Sequence, residues 1–128
     1  MTAKPSRLPV ARILLAEDDD AMRGFLDRAL QKAGYDVVAF ANGAEAYERL
    51  QQEPFTLLLT DIVMPRMDGI ELARRASELD PDIKIMFITG FAAVVLNNDN
   101  AAPKDARVLS KPFHLKDLVR EVDRLLAE

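Results

Sequence analysis

Apolar residues in this chain alternate between two patterns: short uninterrupted runs, and longer stretches in which they return every third or fourth position. Short runs bounded by turn-formers fit buried strands, and the wider spacing fits helices with one apolar face. Ile13-Leu14-Leu15-Ala16, residues 35–41, 55–61 and 83–89, and Val108-Leu109-Ser110 therefore read as strands. Met22, Phe25, Leu26, Ala29, Leu30 and Ala33 share one face of a first helix, after which Gly34 offers a left-handed stop. Ala46, Tyr47 and Leu50 mark a second helix, with Asn42 as its cap and Pro54 beyond its end. Ile70, Leu72, Ala73, Ala76 and Leu79 mark a third, and Leu115, Leu118, Val119, Val122, Leu125 and Leu126 the last. Alternation of this kind predicts repeated strand-helix units and a parallel sheet, an α/β fold.

Two segments break the alternation. Residues 62–69 contain Pro65 and Gly69 without a helical period and read as a loop after Asp61, which that pair shapes as a turn. Between the fourth and fifth strands, Asn97-Asn98-Asp99-Asn100 and Pro103 are poor helix-interior residues where a helix is due. A short or irregular helix is expected there.

Four of the strand runs end in polar residues: Glu17-Asp18, Asp61, Thr89 and Lys111. Ligands of open α/β sheets bind outside the carboxyl ends of the strands. A parallel arrangement would gather these carboxylates, the hydroxyl and the ammonium at one edge.

Composition narrows the class. A length of 128 residues with 49% hydrophobic content suits one domain with one core, expected over 11–128 behind a disordered lead-in at 1–10. Net charge −4 argues against the basic footprint of a nucleic-acid binder. The absence of cysteine excludes a disulfide framework and a thiol nucleophile. Residues 1–10 lack the apolar centre of a signal peptide, and the run at 91–96 is far short of the ~20 residues that a membrane helix needs. A soluble, cytoplasmic protein is expected.

Taken together, Glu17-Asp18, the run from Asp61 to Gly69 (Asp-Ile-Val-Met-Pro-Arg-Met-Asp-Gly), Ile88-Thr89-Gly90 and Lys111-Pro112-Phe113 resemble the receiver domain of two-component response regulators. The resemblance runs from Arg12 to the last helix. It implies a doubly wound, flavodoxin-like (βα)5 fold with five parallel strands in the order 2-1-3-4-5. It also makes Asp61 the phosphate acceptor, with a histidine kinase or histidine phosphotransferase as phosphodonor. The chain would be no enzyme beyond catalysing its own phosphorylation and dephosphorylation.

With neighbouring strands ~4.8 Å apart, that order brings Glu17 and Asp18 beside Asp61 from one side and Thr89 and Lys111 from the other. A carboxylate can attack phosphorus as a nucleophile, but three acids would repel an anionic donor. Magnesium answers this, since it takes hard oxygen ligands and keeps waters. Asp18, Asp61 and the backbone carbonyl of Val63 suit it, with Glu17 acting through water, because receivers more often carry the shorter aspartate at that position. Lys111 supplies a point charge to a phosphoryl oxygen and Thr89 a hydrogen bond. In the family the Lys111-Pro112 bond is cis. His114, the lone histidine of the chain, is read as a cap.

Two departures from the family bear on mechanism. Many receivers have an aromatic residue three positions before the lysine, whose ring swings inward on activation; here it is Val108. The segment 91–103 is then the candidate bistable element. Val63 and Phe91 flank the phosphoryl position, and neither can orient an attacking water, so a long-lived acyl phosphate is expected.

In detail the chain looks most like CpdR-type single-domain regulators, on Phe87-Ile-Thr-Gly-Phe-Ala-Ala93 and on Ala102-Pro-Lys-Asp-Ala106 leading into Val108-Leu-Ser-Lys-Pro-Phe-His114. In that family a phosphorelay controls a regulator whose unphosphorylated form primes the ClpXP protease, and residues 91–96 are the candidate contact surface. A phosphorelay shuttle and a constitutive interaction module are the alternatives. An aspartyl phosphatase expects a second acid two residues after the nucleophile, where this chain has Val63.

Overall fold

A computed structural model describes residues 10–90, 103 and 105–128. Its elements run in the order β1 (Arg12–Ala16), α1 (Asp20–Lys32), β2 (Asp36–Phe40), α2 (Gly43–Leu50), β3 (Leu57–Asp61), α3 (Gly69–Leu79), β4 (Lys84–Thr89), β5 (Arg107–Ser110) and α4 (Leu115–Leu126). The five strands form one sheet in the order β2-β1-β3-β4-β5, every neighbouring pair parallel. This is the order that the resemblance implied. The helix expected between β4 and β5 falls at 91–102 and 104, outside the described residues, as does most of the lead-in.

Between polar residues at their ends the strands are apolar, because both faces of the sheet are covered. Leu14, Ala16, Leu58, Ile85 and Phe87 point to one face, where they pack with Ala46 of α2 and Leu72, Ala73 and Ala76 of α3. Ile13, Leu15, Leu57, Leu59, Met86 and Ile88 point to the other and meet Leu26 and Leu30 of α1 with Leu118, Val122 and Leu125 of α4. The central strand β3 is buried from end to end, whereas the edge strand β5 is only half-buried.

Polar side chains satisfy the starts of α1, α2 and α3. Asp19 accepts from the Met22 N–H, Asn42 from the Glu45 N–H and Asp68 from the Glu71 N–H. Gly34, at φ 104°, ends α1 as the sequence predicts. Around it the Tyr35 N–H donates to the Leu30 carbonyl and the Gly34 N–H to that of Gln31, the paired bonds of a Schellman stop.

Some expectations change. Phe25 is 50% exposed, its ring 5.3 Å from the Arg28 guanidinium carbon, and Leu79 is 47% exposed. Both lie at the margin of a helix stripe wider than the sheet can cover. His114 occupies the N-cap position of α4, but its side chain makes no cap hydrogen bond; its backbone carbonyl instead accepts from the N–H groups of Asp117 and Leu118.

Candidate functional site

Register assembles the site. Ala16 pairs with Thr60, so the next residue of each chain segment, Glu17 just past β1 and Asp61 at the end of β3, emerges beside the other. Asp61 pairs with Ile88 and Thr89 with Ser110, which puts Thr89 one step beyond Asp61 and Lys111 just past the end of β5. The Lys111 N–H donates to the Thr89 carbonyl at 2.8 Å, and the Lys111-Pro112 peptide bond is cis.

At the centre Asp61 is 8% exposed. Its Oδ1 accepts from the Ile62 N–H at 2.6 Å and its Oδ2 from Lys111 Nζ at 2.8 Å. Lys111 Nζ also lies 3.4 Å from Glu17 Oε1. Burial by itself would lower the lysine's pKa, but hydrogen bonding to Asp61 and the charges of Glu17 and Asp61 outweigh it and hold the ammonium above its ordinary value. Glu17 is fully buried, and its Oε2 accepts from the Asp19 N–H at 3.1 Å. Desolvation pushes its carboxyl up to about 7, against the backbone hydrogen bond from Asp19 and the attraction of Lys111; the charge of Asp61 adds to the rise.

Carboxylate oxygens of Glu17, Asp18 and Asp61 lie within 4.8 Å of one another, with Asp18 exposed. All three are hard donors. Each oxygen can accept more than one partner, so the bonds that Asp61 already makes leave capacity for a cation. Val63 is 62% exposed on the loop that follows. Thr89 is fully buried at the end of β4. The structure thus brings Glu17, Asp18, Asp61, Thr89 and Lys111 to one sheet edge, with Val63 two residues further along the loop after Asp61.

The loop after Asp61 holds the part that sequence reasoning missed. Gly69, read as a turn-former, has no positive φ; the left-handed residue is Arg66, at φ 74°. The Met67 N–H reaches back across Arg66 to the Pro65 carbonyl at 2.8 Å, a three-residue turn. Gly69 instead lets the start of α3 press against the acceptor's backbone, since a Cβ there would sit 1.8 Å from the Asp61 carbonyl oxygen. The Gly69 N–H also donates to the Ile62 carbonyl. Contact between residues eight apart across an irregular loop has no sequence period to reveal it.

The response regulator receiver domain family matches residues 13–123, most of the chain. The chain belongs to that family. The receiver protein CpdR of Brucella abortus (strain 2308) is 75% identical over 115 residues, which cover 90% of this chain and 96% of that one. Among solved structures, a response regulator receiver protein from Sinorhizobium medicae WSM419 superposes with a TM-score of 0.84 at 34% identity, covering 93% of this chain and 96% of that one. The receiver domain of the hybrid histidine kinase CckA gives 0.78 at 31%, covering 91% and 99%. The strand order β2-β1-β3-β4-β5 agrees with that family's fold. Val108, where many receivers carry an aromatic ring, is partly buried on the face covered by α2 and α3.

Proposed function

We propose that this receiver accepts a phosphoryl group on Asp61 from a phosphohistidine donor and that the acyl phosphate switches its protein contacts. The observation that carries the reading is the hydrogen-bonded pair of Lys111 Nζ and Asp61 Oδ2, 2.8 Å apart beside two further carboxylates. In the transfer, an Asp61 oxygen forms the new O–P bond as the donor's N–P bond breaks. The electron pair returns to the imidazole nitrogen, which then takes up a proton. Lys111, already on Asp61, moves its charge onto a phosphoryl oxygen, and the Thr89 hydroxyl donates to another. Glu17, Asp18, Asp61 and the Val63 carbonyl would hold Mg2+, which when bound neutralises charge on the transferring group. Such a protein catalyses only its own modification, in the cytoplasm.

The test is incorporation of phosphate from acetyl phosphate with Mg2+, read by intact mass on the wild type and on Asp61→Asn. The wild type should gain one phosphoryl group and the variant none. No gain by the wild type, from acetyl phosphate or from a phosphohistidine donor, favours a constitutive interaction module.

The 75% identity to CpdR supports a finer reading, a phosphorylation-controlled adaptor of the ClpXP protease. Asp61→Ala should then retain ClpX in a pull-down that the phosphorylated wild type loses. Release by both would favour a phosphorelay shuttle. The candidate contact surface at 91–96 and the switch segment at 91–103 lie outside the described residues, apart from Pro103.

A further inference from the structure

Asp18 stands in a three-residue turn between the end of β1 at Ala16 and the start of α1 at Asp20. Two bonds of Glu17 anchor the near side of the turn: its N–H donates to the Phe40 carbonyl at 3.0 Å, and its Oε2 accepts from the Asp19 N–H. The far side is held by Arg23, in the first turn of α1. Its Nη1 donates to the backbone carbonyl of Glu17 at 2.9 Å, and its Nη2 donates to Asp20 Oδ1 at 2.7 Å. The guanidinium is planar and rigid, so these two bonds fix its orientation together. The side chain is 24% exposed, well packed for an arginine. The Glu17 carbonyl belongs to the peptide that links Glu17 to Asp18, and an oriented carbonyl orients the peptide plane. With the Asp19 N–H held by Glu17 Oε2, the peptide planes on both sides of Asp18 are fixed, and together they set the direction in which its side chain leaves the backbone.

We propose that Arg23 is a positioning residue for the cation, holding the Glu17-Asp18 peptide so that the exposed Asp18 carboxylate stays beside those of Glu17 and Asp61. The inference rests on the Mg2+ reading given above. It makes a prediction that charge alone reverses. Arg23 brings a positive charge close to a cation site, so on Coulombic grounds its removal would tighten Mg2+ binding. Positioning predicts the opposite, because an exposed carboxylate freed from its geometry must be ordered again each time the ion binds.

The experiment is calorimetric titration of Mg2+ into the full chain at pH 8, for the wild type, Arg23→Met and Arg23→Lys, with the metal-free melting temperature measured alongside. Loss of a partner that orients a ligand weakens metal binding by on the order of tenfold, and Arg23→Met should show a loss of that size. Arg23→Lys keeps the charge but cannot make both bonds, so it should also bind more weakly than the wild type; it carries the test if Arg23→Met does not fold. In phosphorylation by acetyl phosphate, the half-saturating Mg2+ concentration should rise while the rate at saturating Mg2+ stays near that of the wild type. Variants that bind Mg2+ as tightly as the wild type, or tighter, overturn the proposal. So does a fall in the saturated rate with unchanged affinity. A wild type that takes up no Mg2+ overturns the metal reading, and the proposal with it.

Discussion

The carbonyl oxygen of Asp61 and the α-carbon of Gly69 lie so close that a methyl group on Gly69 would sit 1.8 Å from that oxygen. The obstacle is backbone, with the Asp61 carbonyl carbon 2.8 Å and Ile62 Cα 3.0 Å from the same point, so no side chain can turn aside. Gly69→Ala must therefore move either the start of α3 or the acceptor strand. Overpacking of a filled interior costs ~1–3 kcal/mol, and a loss of that order is expected in urea unfolding. The folded fraction should also take up phosphate from acetyl phosphate several-fold more slowly. A variant with wild-type stability and rate would show that α3 can slide at no cost.

Burial of Glu17 gives the metal-free protein a pH dependence of definite sign. Its folded pKa, about 7, is raised above the ordinary glutamate value of 4.5, so the folded state holds this proton more tightly than the unfolded chain. The stability from this group is complete below the unfolded value and is lost as pH rises through about 7. Urea unfolding in EDTA should give a protein less stable at pH 8 than at pH 5. Glu17→Gln, which cannot ionise, should flatten that difference. Mg2+ at pH 8 should restore stability to the wild type by binding the folded state alone, and restore less to the variant.

Exposed Val63, two residues after the acceptor, offers no group to orient a water. Replacement by an amide that can hydrogen-bond water should shorten the life of the acyl phosphate. Val63→Asn is expected to lose phosphate several-fold faster, followed by intact mass after removal of acetyl phosphate. An unchanged decay would mean that attack is limited elsewhere.

Far from the site, the Tyr35 hydroxyl donates to Asp123, joining the chain just after α1 to α4. Burial, followed by the bond to Asp123, pushes the phenol up to about 12. The proton therefore stays on well past the pH at which a free tyrosine ionises. Tyr35→Phe removes a hydrogen bond to a charged partner, worth ~1.5–3 kcal/mol, and no more than the low end is expected because Asp123 is exposed and Tyr35 only half-buried. Thermal unfolding should show the loss with phosphate uptake unchanged. A fall in phosphate uptake would tie this corner of the fold to the site.

Much of the fold was legible because its rules are local. Five apolar runs became five strands, and Asn42 and Gly34 took the capping and stopping roles that their chemistry favours. Where a residue sits at a margin, the local rule fails. Phe25 and Leu79 keep helical spacing with their neighbours, yet the width of the sheet decides how far round a helix burial extends, and no spacing records that width. Arg23 left a partial signal. Its pairing with Asp20, three residues before it, is an ordinary helix contact, but the reach of its other nitrogen to the Glu17 carbonyl depends on how α1 leaves β1. His114 had the right position for a cap and the wrong side-chain geometry.

The sequence by itself determined the strand and helix order and the residue types at each strand end, because periodicity and polarity are properties of neighbours along the chain. Only the tertiary structure decided that Lys111 Nζ rests on Asp61 and also lies near Glu17, that Glu17 loses its water and so binds its proton more tightly, and that α3 begins against the acceptor's own carbonyl. Those relations join residues eight to 94 positions apart. Their strength depends on distance and on exclusion of solvent, and neither exists until the sheet has closed and the helices have covered it.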